Sequence, residues 1–184
     1  MAQANIDAFN KKIKAEHRIT LNQGNAIDLT QYADNSFDIV LLFGPLYHLH
    51  NEADRQICIA EAKRVCKDNG TIFFAFISND MVIMTEFMFD QDFFSKQDYH
   101  HDTFKVTDFP FVFFTLDQIR DMLHDGQVHI EKEVAADGLS ELLANKINAL
   151  DDYSYQQYLK YHFYCCEKKE LIGYSNHLLF IARN

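Results

Sequence analysis

The stretch Asp38-Ile39-Val40-Leu41-Leu42-Phe43-Gly44-Pro45-Leu46-Tyr47-His48-Leu49 sets an apolar run against an abrupt Gly-Pro break and then a Tyr-His pair. Almost uninterrupted apolar residues predict a strand over 37–43 covered on both faces, as in a parallel α/β sheet. Ligands of such sheets sit just beyond the carboxyl ends of the strands, so Tyr47 and His48 are expected to face a ligand. The six glycines, at 24, 44, 70, 126, 138 and 173, are widely separated, and the sequence contains no Gly-rich cofactor loop.

With 184 residues, 48% of them apolar, the chain can fill the core of a single domain spanning 1–184. Seventeen basic against 27 acidic side chains give a net charge of −10, which opposes the phosphate neutralisation that nucleic-acid binding depends on. A nucleic-acid partner is therefore not expected. The sequence holds no apolar segment long enough to span a bilayer and does not open with the order of a signal peptide, which predicts a cytoplasmic protein without membrane association. Cys58, Cys66, Cys165 and Cys166 have neither CxxC spacing nor a secretory context, so no zinc site or disulfide framework is expected. His48 and His50, with His100 and His101, fall short of the three or four converging ligands of a metal site.

Residues 3–14 suit an amphipathic helix with Ile6, Phe9 and Ile13 on one side, expected to lie as a lid on a sheet. His17 to Gln23 reads as a short strand broken by Gly24-Asn25-Ala26, and Asp34-Asn35-Ser36 as the turn into the central strand. Asn51 caps a helix to about Lys67, closed by Asn69-Gly70, before a strand over 71–77. A helix is expected over 79–92, then an aromatic connection over 93–114 without a clean period. That connection reads either as a mobile substrate cover or as rings packing a long link onto the core. Thr115-Leu116-Asp117-Gln118 is a capping box opening a helix to Asp125. A strand over 127–134, helices over about 138–149 and 152–169, and an antiparallel last strand over 176–182 complete an α/β reading built on βαβ crossovers.

Several stretches resemble the bacterial small-molecule type of Rossmann-like, class I S-adenosylmethionine-dependent methyltransferase: Gly24-Asn25-Ala26-Ile27-Asp28-Leu29, Asn35-Ser36-Phe37-Asp38-Ile39-Val40, Gly44-Pro45-Leu46-Tyr47-His48-Leu49, Glu61-Ala62-Lys63-Arg64-Val65, Ala75-Phe76-Ile77-Ser78, and Ser175-Asn176-His177 to Ile181. The resemblance implies a mostly parallel sheet with an antiparallel C-terminal strand and helices on both faces. It implies S-adenosyl-L-methionine as cofactor, with Gly24, Asn25 and Ala26 cradling the adenine and Gly44, Pro45 and Leu46 beneath the sulfonium and methionine portion. The methyl acceptor it implies is a small molecule, with 93–114 and 138–170 as cap segments.

The family's first strand, its Gly-rich loop and the acidic end of its second strand have no counterpart in this sequence. The sheet is therefore expected to be incomplete, as in an N-terminally truncated domain. Open strand edges then predict a homodimer, a strand-exchanged oligomer, or direct pairing of the strands at 18–23 and 37–43. Methyl transfer from a sulfonium rests on positioning, and a base matters only for protonated nucleophiles. Tyr47 is the expected positioning residue and His48 the residue that orients the acceptor or takes its proton, the alternative for His48 being that it caps the next helix or hydrogen-bonds the backbone. The alternative is a non-catalytic remnant of the fold acting as an oligomerising or interaction protein.

Overall fold

Side-chain caps set the helix starts. The computed structural model describes residues 2–12 and 19–184. Helix α1 covers Ala2–Asn10, strand β1 Phe37–Leu42, and the single turn α2 Pro45–His48. Asn51 accepts the Ala53 N–H at 2.9 Å and opens α3, Glu52–Val65. Strand β2, Cys66–Ile77, leads to Ser78, whose hydroxyl caps α4, Asn79–Phe89. The small strands β3, Tyr99–His100, and β4, Lys105–Val106, form a hairpin. The Thr115/Gln118 capping box opens α5, Leu116–Asp125, as its spacing predicts. Strand β5, His129–Ala135, helices α6, Ala144–Asn148, and α7, Asp152–Cys165, and strand β6, His177–Arg183, follow.

The main sheet has the order β1-β2-β6-β5. Strands β1 and β2 are parallel, and β6 is antiparallel to both β2 and β5, so β1, β2 and β5 run the same way. This is the α/β sheet with an antiparallel last strand that the sequence predicts. Alternation gives it one dry face: Ile72, Phe74 and Phe76 of β2 and Leu178, Phe180 and Ala182 of β6 are buried. Ile59 and Ala62 of α3 and Ile119 and Leu123 of α5 cover that face within one cluster. The Phe76 ring meets Phe114 and Phe180 edge to face, each at 5.6 Å. Lys63 donates to the carbonyls of Gly126 and Gln127 at 3.0 and 2.7 Å, tying α3 to the end of α5.

Tertiary contacts displace several expected elements. Residues 19–23 form no strand, so direct pairing of 18–23 with 37–43 does not occur; positions 17 and 18 lie outside the described residues. Helix α1 ends at Asn10 with no buried residue and Phe9 half exposed, so these positions are not a lid; Ile13 and Lys14 lie outside the described residues. Strand β1 is not covered on both faces: Phe37, Ile39, Leu41 and Phe43, at alternate positions, are 38–59% exposed. Helix α3 stops at Val65, two residues before the expected end, because the chain turns extended at Cys66 (ψ 137°). Helix α4 stops at Phe89, α7 at Cys165, and 139–143 form turns ahead of a short α6. In 93–114 the rings divide. Phe93 and Tyr99 are buried with Ile83 and Val106 in a small separate core, whereas Phe104 and Phe109 are exposed. Asn79, itself buried, pins this hairpin by accepting the Val106 N–H and donating to the Phe104 carbonyl.

Candidate active site

Strand β1 ends at Leu42, two residues before Gly44, a buried residue with φ +133° and ψ −50°, a conformation that strongly favours glycine. Pro45 fits the first position of α2, where its missing N–H costs nothing. Leu46 is fully buried and anchors the turn, which leaves Tyr47 half-buried and His48 more exposed. The two rings lie 5.1 Å apart, and Phe111 packs edge-on against both, at 5.9 and 5.1 Å. The Tyr47 carbonyl accepts the Val112 N–H at 2.8 Å. The connection over 93–114 thus ends on the Tyr47-His48 pair.

Gly24, Asn25 and Ala26 stand on a loop held from α3. Asn25 and Asp28 form an isolated bridge, and Asp28 accepts from both the N–H and the hydroxyl of Thr30. The Glu61 carboxylate accepts the Leu29 N–H at 2.7 Å, and Arg64 donates to the carbonyls of Leu29 and Tyr32 and to Asp34 and Glu61. Arg64, and then the Leu29 N–H, hold the Glu61 carboxyl down at about 2. Ala26 and Ile27 pack on the same core as Tyr47 and Leu49, so the structure brings the Gly24 loop and the Gly44 turn to one body. The Asn25 side-chain oxygen accepts the Ile27 N–H at 3.3 Å, which leaves its exposed amide NH2 to donate.

These residues fit one flank of a nucleoside cofactor. Gly44 leaves backbone without a side chain just past the carboxyl end of β1, at a positive φ that other residues rarely adopt. Asn25 offers an amide suited to an adenine edge.

Neither His177 nor Asp137 stands out as a site residue in the sequence, and the fold couples them. Asp137 follows β5 and His177 begins β6, and His177 Nδ1 lies 2.7 Å from an Asp137 oxygen. The other oxygen accepts the His177 backbone N–H at 3.1 Å and the hydroxyl of fully buried Ser175. That hydroxyl in turn accepts the N–H groups of Asp137 and Gly138 at 3.2 and 3.0 Å. Burial pushes the Asp137 carboxyl up, but the bonds from His177 and Ser175 outweigh it and hold it below the usual carboxylate value. The same carboxylate raises the His177 imidazole above its ordinary value. No spacing rule could have joined residues forty positions apart; only the β5-β6 register does.

Beside this turn lies a cavity of about 470 Å³ lined by Gly138, Leu139, Leu143, Tyr158, Tyr161 and His162, among others. The four cysteines are unpaired, and burial pushes the Cys58 thiol up to about 11, as befits a small core side chain.

Residues 1–74 match the family described as "Methyltransferase domain". No curated protein matches the sequence. Among solved structures, an S-adenosylmethionine-dependent methyltransferase from Thermotoga maritima, described as a possible histamine N-methyltransferase, superposes with a TM-score of 0.56 at 13% identity. That match covers 94% of this chain and 67% of the other. This is the methyltransferase fold. The [4+2]-cyclase SpnF shares it, with a TM-score of 0.55 at 15% identity over 100% of this chain and 61% of its own. A methyltransferase from Archaeoglobus fulgidus does too, at 0.52 and 11% identity over 92% and 70%. The chain thus spans 61–70% of the length of these two relatives with the methyltransferase fold, and 67% of the first.

Proposed function

We propose that the chain is an S-adenosylmethionine-dependent methyltransferase acting on a small molecule. The observation that carries this reading is the turn at Gly44, where a buried glycine at the carboxyl end of β1 presents Tyr47 and His48 beside Phe111. In this reading Gly44, Pro45 and Leu46 underlie the methionyl portion of the cofactor, and Gly24, Asn25 and Ala26 border its adenine. The cofactor supplies an activated methyl group on a sulfonium. Tyr47 positions the acceptor, and His48 orients it or takes its proton. The segments 93–114 and 138–170 cover the acceptor, the first through Phe111 and the second through the cavity at Tyr158. A net charge of −10 supports a small-molecule acceptor over a nucleic acid. No helix of the described residues is long and apolar enough to cross a membrane, and the four unpaired cysteines suit the cytoplasm. The exposed stripe Phe37, Ile39, Leu41 and Phe43 on an edge strand supports a homodimer formed through β1.

Calorimetric titration with S-adenosylhomocysteine tests this reading. Micromolar binding that is lost in Asn25→Ala or Gly44→Val supports it, and no heat at millimolar ligand overturns it.

A further inference from the structure

We propose that His177, oriented by Asp137, is the general base of the methyl transfer and that the acceptor is a ring-bearing small molecule methylated at an O–H or N–H group. The assignment rests on the methyl-transfer reading and deepens it by naming the proton acceptor and the class of nucleophile.

Register places the pair. Ile77 pairs with His177 across β2 and β6, and the Ala136 N–H donates to the His177 carbonyl at 3.0 Å. His177 therefore stands at the edge where β1, β2 and β5 all present their carboxyl ends, the side on which such sheets bind ligands. Leu42 pairs with Phe74, so Gly44 lies level with Phe76, one residue from the level of His177. Strand β6 is two steps from β1, which puts roughly 10 Å between the two backbones, a span suited to a small ring compound.

The side chains form a base with its orienting group. A carboxylate at 2.7 Å from Nδ1 fixes the Nδ1–H tautomer and leaves Nε2 as the nitrogen with a lone pair. Fully buried Ser175 clamps that carboxylate and the turn behind it, so Asp137 is held from two sides. The imidazole itself is 60% exposed, and among the described residues Nε2 has no partner. The charged groups acting on it are both acidic: Asp137 after β5, and Glu141, whose carboxylate also accepts from Asn176. His48 lacks any such partner among the described residues; its ring neighbours are Tyr47 and Phe111, so of the two roles open to it, orienting the acceptor is the one it keeps. Gly138, next to Asp137, lines the cavity of about 470 Å³, whose Leu139, Leu143, Tyr158 and Tyr161 suit the apolar body of the acceptor.

In the step itself the acceptor oxygen or nitrogen forms a bond to the methyl carbon while the methyl–sulfur bond breaks and its electron pair stays on sulfur. The O–H or N–H proton passes to Nε2, giving an imidazolium beside the Asp137 carboxylate. The products are the methylated acceptor and the thioether, and the exposed ring returns the proton to water.

Transfer of labelled methyl to a panel of phenols and azoles tests this in the wild type, His177→Gln and Asp137→Asn, alongside titration of each with S-adenosylhomocysteine and nitrogen NMR of the rings. Loss of the base is expected to lower kcat by about 100-fold or more with KM and S-adenosylhomocysteine affinity little changed. Asp137→Asn moves the ascending limb of the pH profile to lower pH, because the imidazole loses the charge that raises it; a purely structural pair leaves that limb in place. Wild-type kcat in His177→Gln, or an Nε2–H tautomer for His177 by NMR, overturns the assignment alone. Absence of both S-adenosylhomocysteine binding and turnover in the wild type overturns the methyl-transfer reading and this assignment with it.

Discussion

Glu61 and Arg64 show how two charged side chains on a helix shape a loop they do not belong to. Glu61, with its side chain 17% exposed, accepts the Leu29 N–H, and Glu61→Ala is expected to cost about 2 kcal/mol, the size of a hydrogen bond to a charged group, read by urea unfolding. The pH dependence has a definite sign. The folded state holds this carboxyl at about 2 against an ordinary 4.5, so its stabilisation is complete above pH 4.5 and is lost as the pH falls toward 2. Protection of the Leu29 amide against exchange, relative to the intrinsic rate at each pH, should fall over that window in the wild type and show no such step in Glu61→Gln. Gly44 is decided by its backbone. A Cβ there has room at 3.6 Å from the nearest atom, so the cost of Gly44→Ala is conformational, about 1–3 kcal/mol, measurable as a lower urea midpoint at unchanged slope.

The paired strands β2 and β6 share the dry face, which makes Phe76 a costly ring to truncate. Phe76 is fully buried between Phe114 and Phe180, and Phe76→Ala is expected to destabilise by about 3–5 kcal/mol, a loss that thermal unfolding would register as a fall of several degrees. An unchanged midpoint would mean that the neighbouring rings collapse into the space. The elements that misled sequence reasoning are those with weak local signals. Residues 19–23 alternate like a strand but lie exposed and unpaired, since alternation makes a strand only where a neighbour supplies hydrogen bonds. The 138–149 segment has helical composition, yet Gly138 at φ +54° and the clamp from Ser175 turn the chain before α6 can begin.

For the molecule as a whole, the asymmetry of the sheet matters most. One face is dry, whereas the other leaves Phe37, Ile39, Leu41 and Phe43 open along the edge strand β1, a combination that invites pairing with another chain. Light scattering should therefore show association that grows with protein concentration, and Leu41→Lys should reduce it without lowering the thermal midpoint, because Leu41 is 57% exposed. A monomer at every concentration would sink the β1 dimer.

Local chemistry in the sequence determined the helix starts at Asn51 and Thr115, the strand that stops short of Gly44, and the grouping of Gly44, Pro45, Leu46, Tyr47 and His48 in one turn. Each depends on neighbours within a few residues, where capping, proline geometry and apolar runs act directly. The open face of β1 and the Asp137-Ser175-His177 constellation were decided by tertiary structure alone. Burial depends on which helices settle on a face. A hydrogen bond between residues forty positions apart exists only once the register of β5 against β6 has brought their ends together.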